Sequence, residues 1–303
     1  MILSAARKVL HAVRRRRLRS MKGKPQWARV PAGFWMYIDP NEWLGHTILM
    51  GYFESDLTYF ITQILHSGDA ALDIGANQGY TALWMGRAVN DTGHILAIEP
   101  TGIAFDRLQQ NIQRNQMRSV QCVRSAAGDC EGELRIWVAP HECGHSSVFN
   151  IDHQDGFGEM VRVALTDMIV REAWGDDALS RIAFVKIDVE GYEPLVLDGM
   201  PQILRKSQPV LWIEVNPPIL AKGGYTAGDI ERRLNAFGYR LFKPHFHRNA
   251  IGIPSLTLEP CSDLDTKLES KMADMIAVVP DSQGWQRIQR SKIRIIQGEL
   301  THA

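Results

Sequence analysis

No acidic residue occurs in the first 38 positions, which carry ten lysines and arginines. The zero net charge therefore hides an imbalance: the remaining residues hold 24 basic side chains against all 34 acidic ones. No apolar run approaches the ~20 residues that span a bilayer. Arg7, Lys8 and His11 interrupt any apolar core that a secretory signal would need. The four cysteines, Cys122, Cys130, Cys143 and Cys261, include no CxxC pair. In a chain of this size they argue against a disulfide framework and for a reducing, cytoplasmic setting. There is no internal repeat. No basic stripe interleaved with aromatics follows the N-terminus, so a specific nucleic-acid partner is not expected.

A chain of 303 residues, 45% apolar, suits one large α/β domain with appendages or two small domains. In the N-terminal stretch that ends in "RKVLHAVRRRRLRS", helical spacing brings Ile2, Ala6, Val9 and Val13 to one side. It reads either as a solvated terminus or as a basic amphipathic helix making peripheral contact with an anionic membrane. From about Asp69 the chain alternates between strand-like and helix-like segments. "AALDIG", "GHILAIEP" and "SVQCVRSAAG" read as three strands, "RIAFVKIDVEG", "QPVLWIEVNPP", "YRLFKP" and "DMIAVVP" as later ones. This alternation predicts a doubly wound α/β fold, its mostly parallel sheet covered on both faces. Ligands of such sheets sit at the carboxyl ends of the strands. Residues 1–50 read as a basic segment and cap, 51–285 as the catalytic domain and 286–303 as a basic tail.

"ALDIGANQGY" places Asp73 at the end of the first strand and Gly75 and Gly79 in the turn entering a helix. Glycine lets the backbone come close to a ligand, and a helix start offers unpaired N–H groups. Glu99 ends the next strand, 24 residues beyond Gly75, where a carboxylate can accept both hydroxyl hydrogens of a ribose. The combination implies an adenosine-containing cofactor. A dinucleotide would prefer a bare Gly-x-Gly-x-x-Gly turn for its pyrophosphate. The leading acid here would repel pyrophosphate but suits the amino group of S-adenosylmethionine.

The stretches "LDIGANQGYTAL", "ILAIEP", "SAAGDCEGEL", "FVKIDVEGYEPLVLDGM" and "PVLWIEVNP" resemble the FkbM family of S-adenosylmethionine-dependent methyltransferases. The resemblance runs from about Glu54 to Phe242. It implies a seven-stranded Rossmann-like sheet with a late antiparallel strand, and O-methyl transfer to a sugar or other hydroxyl-bearing metabolite or glycan. It also implies that Asp73, Gly75, Ala76, Asn77, Gly79 and Tyr80 line the methionine end, that Glu99 holds the ribose, and that Ser125, Ala126 and Asp129 lie near the adenine. Where family members often carry histidine, this chain has Asn216.

Methyl transfer needs a positioned acceptor and a destination for its proton. Asp188 and Glu214 end adjacent strands in the order the resemblance implies, and Glu190 follows closely. These are the expected catalytic residues. Crowding among them raises carboxylate basicity, and it leaves open Mg2+ at Asp188 and Glu214. Glu193 reads as an acid at a helix start. His141, Cys143, His145 and Ser146 form a loop read as solvated, substrate-facing or metal-binding, and "HFH" at His245–His247, after a late strand, reads as an exposed loop or as lining the acceptor pocket. Two other functions stay open: a cofactor-binding module without turnover, suggested by Asn216, and a nicotinamide-dependent oxidoreductase.

Overall fold

The computed structural model describes residues 12–16, 20–21, 23–138, 157–249 and 252–296. Most of the basic N-terminal segment, together with His141, Cys143, His145 and Ser146, lies outside the described residues. Among the described residues no helix is long and apolar enough to cross a membrane.

A hairpin of β1 (Gln26–Arg29) and β2 (Trp35–Ile38) precedes two helices, Trp43–Met50 and Ser55–Ile64. The strands that follow are β3 (Ala70–Ile74), β4 (His94–Ile98), β5 (Val120–Val123), β6 (Ala126–Gly128), β7 (Gly132–Val138) and β8 (Phe157–Leu165). The second half contributes β9 (Ile182–Ile187), β10 (Val210–Val215), β11 (Arg240–Arg248), β12 (Pro254–Cys261), β13 (Ala273–Val278) and β14 (Arg294–Ile295).

The main sheet runs β14-β12-β11-β13-β10-β9-β3-β4-β5. Strands β5, β4, β3, β9 and β10 are parallel, and β13 inserts antiparallel between β10 and β11. The expected seven-stranded unit is therefore present, and β12 and β14 extend it to nine strands. The central strands are mostly apolar, as suits a sheet covered by helices on both faces, with Asp73, Lys186 and Glu214 the ionisable exceptions near their carboxyl ends. Ala71, Ile95, Phe184 and Trp212 face one core, and Leu72, Leu96, Val185 and Leu211 face the other. Phe60, from the helix Ser55–Ile64, lies 5.9 Å from Phe184 and 5.3 Å from Trp212, ring centre to ring centre, closing the first core.

Two readings of the sequence change. "SVQCVRSAAG" is not one strand: β5 ends the main sheet, and β6 joins a separate sheet ordered β6-β8-β7. The chain breaks at Arg124, whose guanidinium pairs with Glu159 of β8, and at the fully buried Ser125. "HFH" is not a loop but part of β11, where His245 Nε2 lies 2.7 Å from Glu259 on β12.

Two ion pairs join the ends of the chain to this core. Arg107 holds Glu42 at 3.0 Å, fixing the cap over the helix Gly102–Arg114. Arg287 donates to both oxygens of Asp69, docking the helix Gln283–Arg290 beside β3.

Candidate active site

The turn after β3 is held by its neighbours. The amides of Gly75 and Ala76 both donate to Ile98 O at 3.0 Å. Gly75 has φ +78, and a Cβ there would stand 1.8 Å from Asp188 O, so only glycine fits. This close approach brings the ends of β3 and β9 together. Asn77, at φ +46, donates its amide to Glu99 Oε2 at 3.0 Å. Glu99 Oε1 accepts from the amide of Thr101 at 2.9 Å and from its hydroxyl at 2.6 Å. Burial raises the Glu99 carboxyl pKa, and these hydrogen bonds partly offset it.

Lys186 is the centre of the arrangement. It is the one charged residue in the apolar strand β9, and its side chain is 5% exposed. Its ammonium lies 2.9 Å from Asp188, 3.8 Å from Asp73 and donates to Gly75 O at 3.1 Å. Burial alone would lower its pKa, but Asp188, Asp73 and Glu54 outweigh burial and leave it raised. Asp73 is fully buried, and neither of its oxygens makes a hydrogen bond. Burial pushes its carboxyl up to about 6, against the opposing pull of Lys186.

Two clefts open here. The smaller, about 80 Å3, is a slot bordered by Gly75, Glu99, Ser125, Ala126, Ile136 and Tyr192. The larger, about 430 Å3, is bordered by Trp43, Phe53, Glu54, Trp212, Glu214 and Asp274. Asn77, Asp188 and Glu190 border both. The larger cleft is acidic and aromatic, and among the described residues its one bordering cation is Lys186.

Crowding of acids sets the protonation of this cleft. Asp188, then burial and Glu190, push the Glu214 carboxyl up to about 11, so it keeps its proton and hydrogen-bonds with Asp188. Burial and Asp188 push Glu190 up to about 8. Burial raises Asp274 to about 7 and Glu54 to about 8, although Lys186 and Thr81 pull Glu54 down. Thr81 donates its hydroxyl to Glu54 at 2.6 Å. One oxygen each from Asp188, Glu190 and Glu214 lie within 4.8 Å of one another. That spacing by itself assigns no ion. Glu193 caps its own turn, accepting from Val189 and Gly191 amides at 3.2 and 3.1 Å.

The residues expected from the sequence divide clearly. Gly75, Asn77, Glu99, Ser125, Ala126, Asp188, Glu190 and Glu214 meet at the two clefts, with Asp73 directly behind Lys186. Ala76 is buried in the turn, and Gly79 packs against Leu108. Tyr80 stacks edge-on to Phe53 at 5.5 Å and borders a different cleft with Trp84. Asp129 is exposed beyond β6. Asn216 borders the larger cleft. Sequence reasoning missed Lys186, Glu54, Asp274 and the Trp43–Phe53 pair, whose rings lie 6.0 Å apart. Lys186 carried a signal, a lone lysine in an apolar strand. Asp274 carried none, because it depends on the pairing of Glu214 with Asp274 across β10 and β13.

Residues 73–241, more than half of the chain, match the family model described as the methyltransferase FkbM domain. Methyltransferase sdnD of Sordaria araneosa is 29% identical over 164 residues, covering 46% of this chain. The match spans 62% of that relative's length. Among solved structures, a precorrin-6y C5,15-methyltransferase from Geobacter metallireducens is 12% identical with a TM-score of 0.41, covering 74% of this chain and 86% of that one. An O-methyltransferase from Bacillus cereus, in complex with SAH, is 13% identical with a TM-score of 0.38, covering 74% and 79%. Scores this low carry no argument about the site. The family model is enough: this chain belongs to the FkbM methyltransferase family.

Proposed function

We propose that the protein is an S-adenosylmethionine-dependent methyltransferase acting on a hydroxyl of a small acceptor, a sugar or other metabolite, or a glycan. The observation that carries this reading is the shared border of the two clefts at Asn77, Asp188 and Glu190. A cofactor in the slot and an acceptor in the larger cleft would meet there.

The residues of the slot fit the cofactor. Glu99 offers a buried carboxylate at the ribose position, and Gly75 leaves the backbone bare. Ser125, Ala126 and Ile136 supply a mostly apolar wall suited to adenine. The buried Asp73 carboxylate, with neither oxygen hydrogen-bonded, gives the methionine end a negative field. When bound, the cofactor supplies an electrophilic methyl group on a sulfonium. The protein's share is to hold the acceptor in line and to receive its proton.

Lys186 orients Asp188 toward the border of the clefts, where it accepts a hydrogen bond from the acceptor hydroxyl. Glu214, retaining its own proton, serves as a donor rather than a base at neutral pH. The rings of Trp43 and Phe53 offer apolar faces to a sugar-sized molecule. A second reading, cofactor binding without turnover, is supported by Asn216, which gives the cleft an amide where a histidine base would otherwise stand.

Thermal unfolding with S-adenosylmethionine, S-adenosylhomocysteine and NAD tests the cofactor. A ligand specific for the native state contributes about 2.7 kcal/mol at 100 times its dissociation constant. The first two should stabilise and NAD should not; the reverse result overturns the reading. Label transfer from methyl-labelled cofactor to hydroxylated sugars, lipid-linked glycans and polyketides then tests turnover. Mg2+ dependence is read from the same assay with EDTA. Binding with no transfer to any of them favours the module.

A further inference from the structure

We infer that a third cleft, lined by Tyr59, Tyr80, Trp84 and Phe246, takes the headgroup phosphate of an anionic lipid between Arg14 and Arg248. The inference concerns contact with a membrane surface and does not rest on the methyltransferase reading.

This cleft holds about 270 Å3 and shares Phe53 with the larger cleft. Its rings pack on one another: Tyr59 stands 6.0 Å from Phe246 and Tyr80 stands 5.5 Å from Phe53, centre to centre. Among the described residues no carboxylate borders it, whereas the larger cleft is crowded with acids. A phosphate is repelled by the one and admitted by the other.

Three arginines reach the cleft from separate parts of the chain. Arg248 borders it, 5.2 Å from the centre of the Phe246 ring. Arg87 lies 3.9 Å from the Trp84 ring centre and donates to the carbonyl of Ala32, another bordering residue. Arg14 donates to Met50 O at 2.7 Å, next to the bordering Gly51. Gly51 has φ +72, and a Cβ there would stand 2.9 Å from the Arg14 guanidinium, so glycine makes room for the arginine. Among the described residues none of the three is paired with a carboxylate. Burial and the like charge of Arg248 lower the Arg14 pKa, and Tyr80 pulls it back. Two guanidiniums that repel each other beside an acid-free cleft suit an anion between them. Their N–H groups match the oxygens of a phosphate.

The surroundings select a lipid as the source of that phosphate. Val13 precedes Arg14, Tyr52 follows Gly51 and Ile253 precedes the bordering Pro254, and all three are exposed. Exposed apolar side chains of this kind sit at the acyl boundary while arginines meet the headgroups. Arg15 and Arg16 are exposed on the same segment as Arg14. The first 38 residues hold ten basic side chains and no acid. Such a segment is drawn to a negative leaflet, and the cleft gives one phosphate a defined place.

Sedimentation of the full chain with vesicles tests this, using phosphatidylcholine alone or with phosphatidic acid as the minor component. Binding should require phosphatidic acid and weaken as salt rises. Arg248→Gln, on β11 and outside the basic segment, should weaken it about fivefold, the effect of one arginine at an anionic surface. Arg290→Gln removes an exposed charge elsewhere and should change it by less than about twofold. Calorimetric titration with monomeric dihexanoyl phosphatidic acid should rank the wild type and the variants in the same order. Equal binding to both kinds of vesicle, or equal losses in the two variants, overturns the inference. So does tight binding of glycerol phosphate by a protein that ignores vesicles, which would give the cleft to a soluble phosphate ester. An unchanged melting temperature shows that Arg248→Gln is folded; should it fail to fold, Arg14→Gln carries the same expectation.

Discussion

The Lys186 ammonium lies 2.9 Å from the Asp188 carboxylate, on a side chain only 5% exposed. It also donates to Gly75 O, so one buried cation ties the turn after β3 to the end of β9. Removing it should cost more than an ordinary surface pair. Lys186→Met leaves Asp73 and Asp188 without their cation, and deleting one partner of a buried pair costs about 3–5 kcal/mol. The urea midpoint should fall accordingly, with the slope of the transition unchanged. A midpoint equal to that of the wild type would show that the pair is neutral to stability.

Asp188→Asn keeps the shape of the side chain and removes its charge. If Asp188 accepts the acceptor's proton, turnover should fall about 10²–10⁴-fold. Cofactor affinity should change far less, because in the proposed function Glu99 and the turn carry it. Recovery on raising Mg2+, with EDTA inhibiting the wild type, would indicate a metal instead. Normal turnover in a folded variant removes Asp188 from the chemistry.

Glu99 has a structural duty beyond the ribose role, since it accepts hydrogen bonds from Asn77 and Thr101. Glu99→Ala should weaken S-adenosylmethionine binding by about 1–3 kcal/mol and also lower stability, because buried donors lose their partner. Glu99→Gln keeps one acceptor oxygen and should recover much of the stability but less of the binding. Calorimetry for affinity and thermal unfolding for stability separate the two effects. Equal recovery of both would make the residue purely structural.

The acids of the larger cleft predict an unusual pH dependence. Burial raises Glu54 to about 8 and Asp274 to about 7 in the folded protein, above their values of 4.5 and 3.8 in the open chain. Between those limits the folded state binds more protons than the unfolded state. Their stabilising contribution is complete below the unfolded values and is lost as pH rises toward 8. The melting temperature of the ligand-free protein should therefore fall between about pH 5 and pH 8, and less steeply above that, where Glu214 still holds its proton. Glu54→Gln should flatten the slope. A melting temperature that rises over this interval would contradict the raised values.

The strands β3 and β9 were legible because each is an apolar run of strand length, closed by an acid and a glycine-bearing turn. Asp73, Glu99 and Asp188 could be assigned to strand ends for the same reason. The boundary between β5 and β6 was not legible. No proline or glycine stands between them to mark a turn, and it is pairing with different partner strands that separates them. Lys186 was visible within "FVKID", but its role depends on Asp73, more than 100 residues earlier.

By itself the sequence determined the alternation of strands and helices, the acid-and-glycine turn, and therefore the end of the sheet at which a ligand is expected. These are local properties: side-chain period, glycine at a position with φ +78, and apolar runs of strand length. The tertiary structure decided which acids share a cleft and which of them keep a proton. Glu54 comes from just before the helix Ser55–Ile64, Glu214 from β10 and Asp274 from an antiparallel strand far along the chain. Electrostatic interaction depends on separation in space and on burial, not on separation in sequence. Only after the chain has packed do these carboxylates come close enough, and dry enough, to raise one another's affinity for protons.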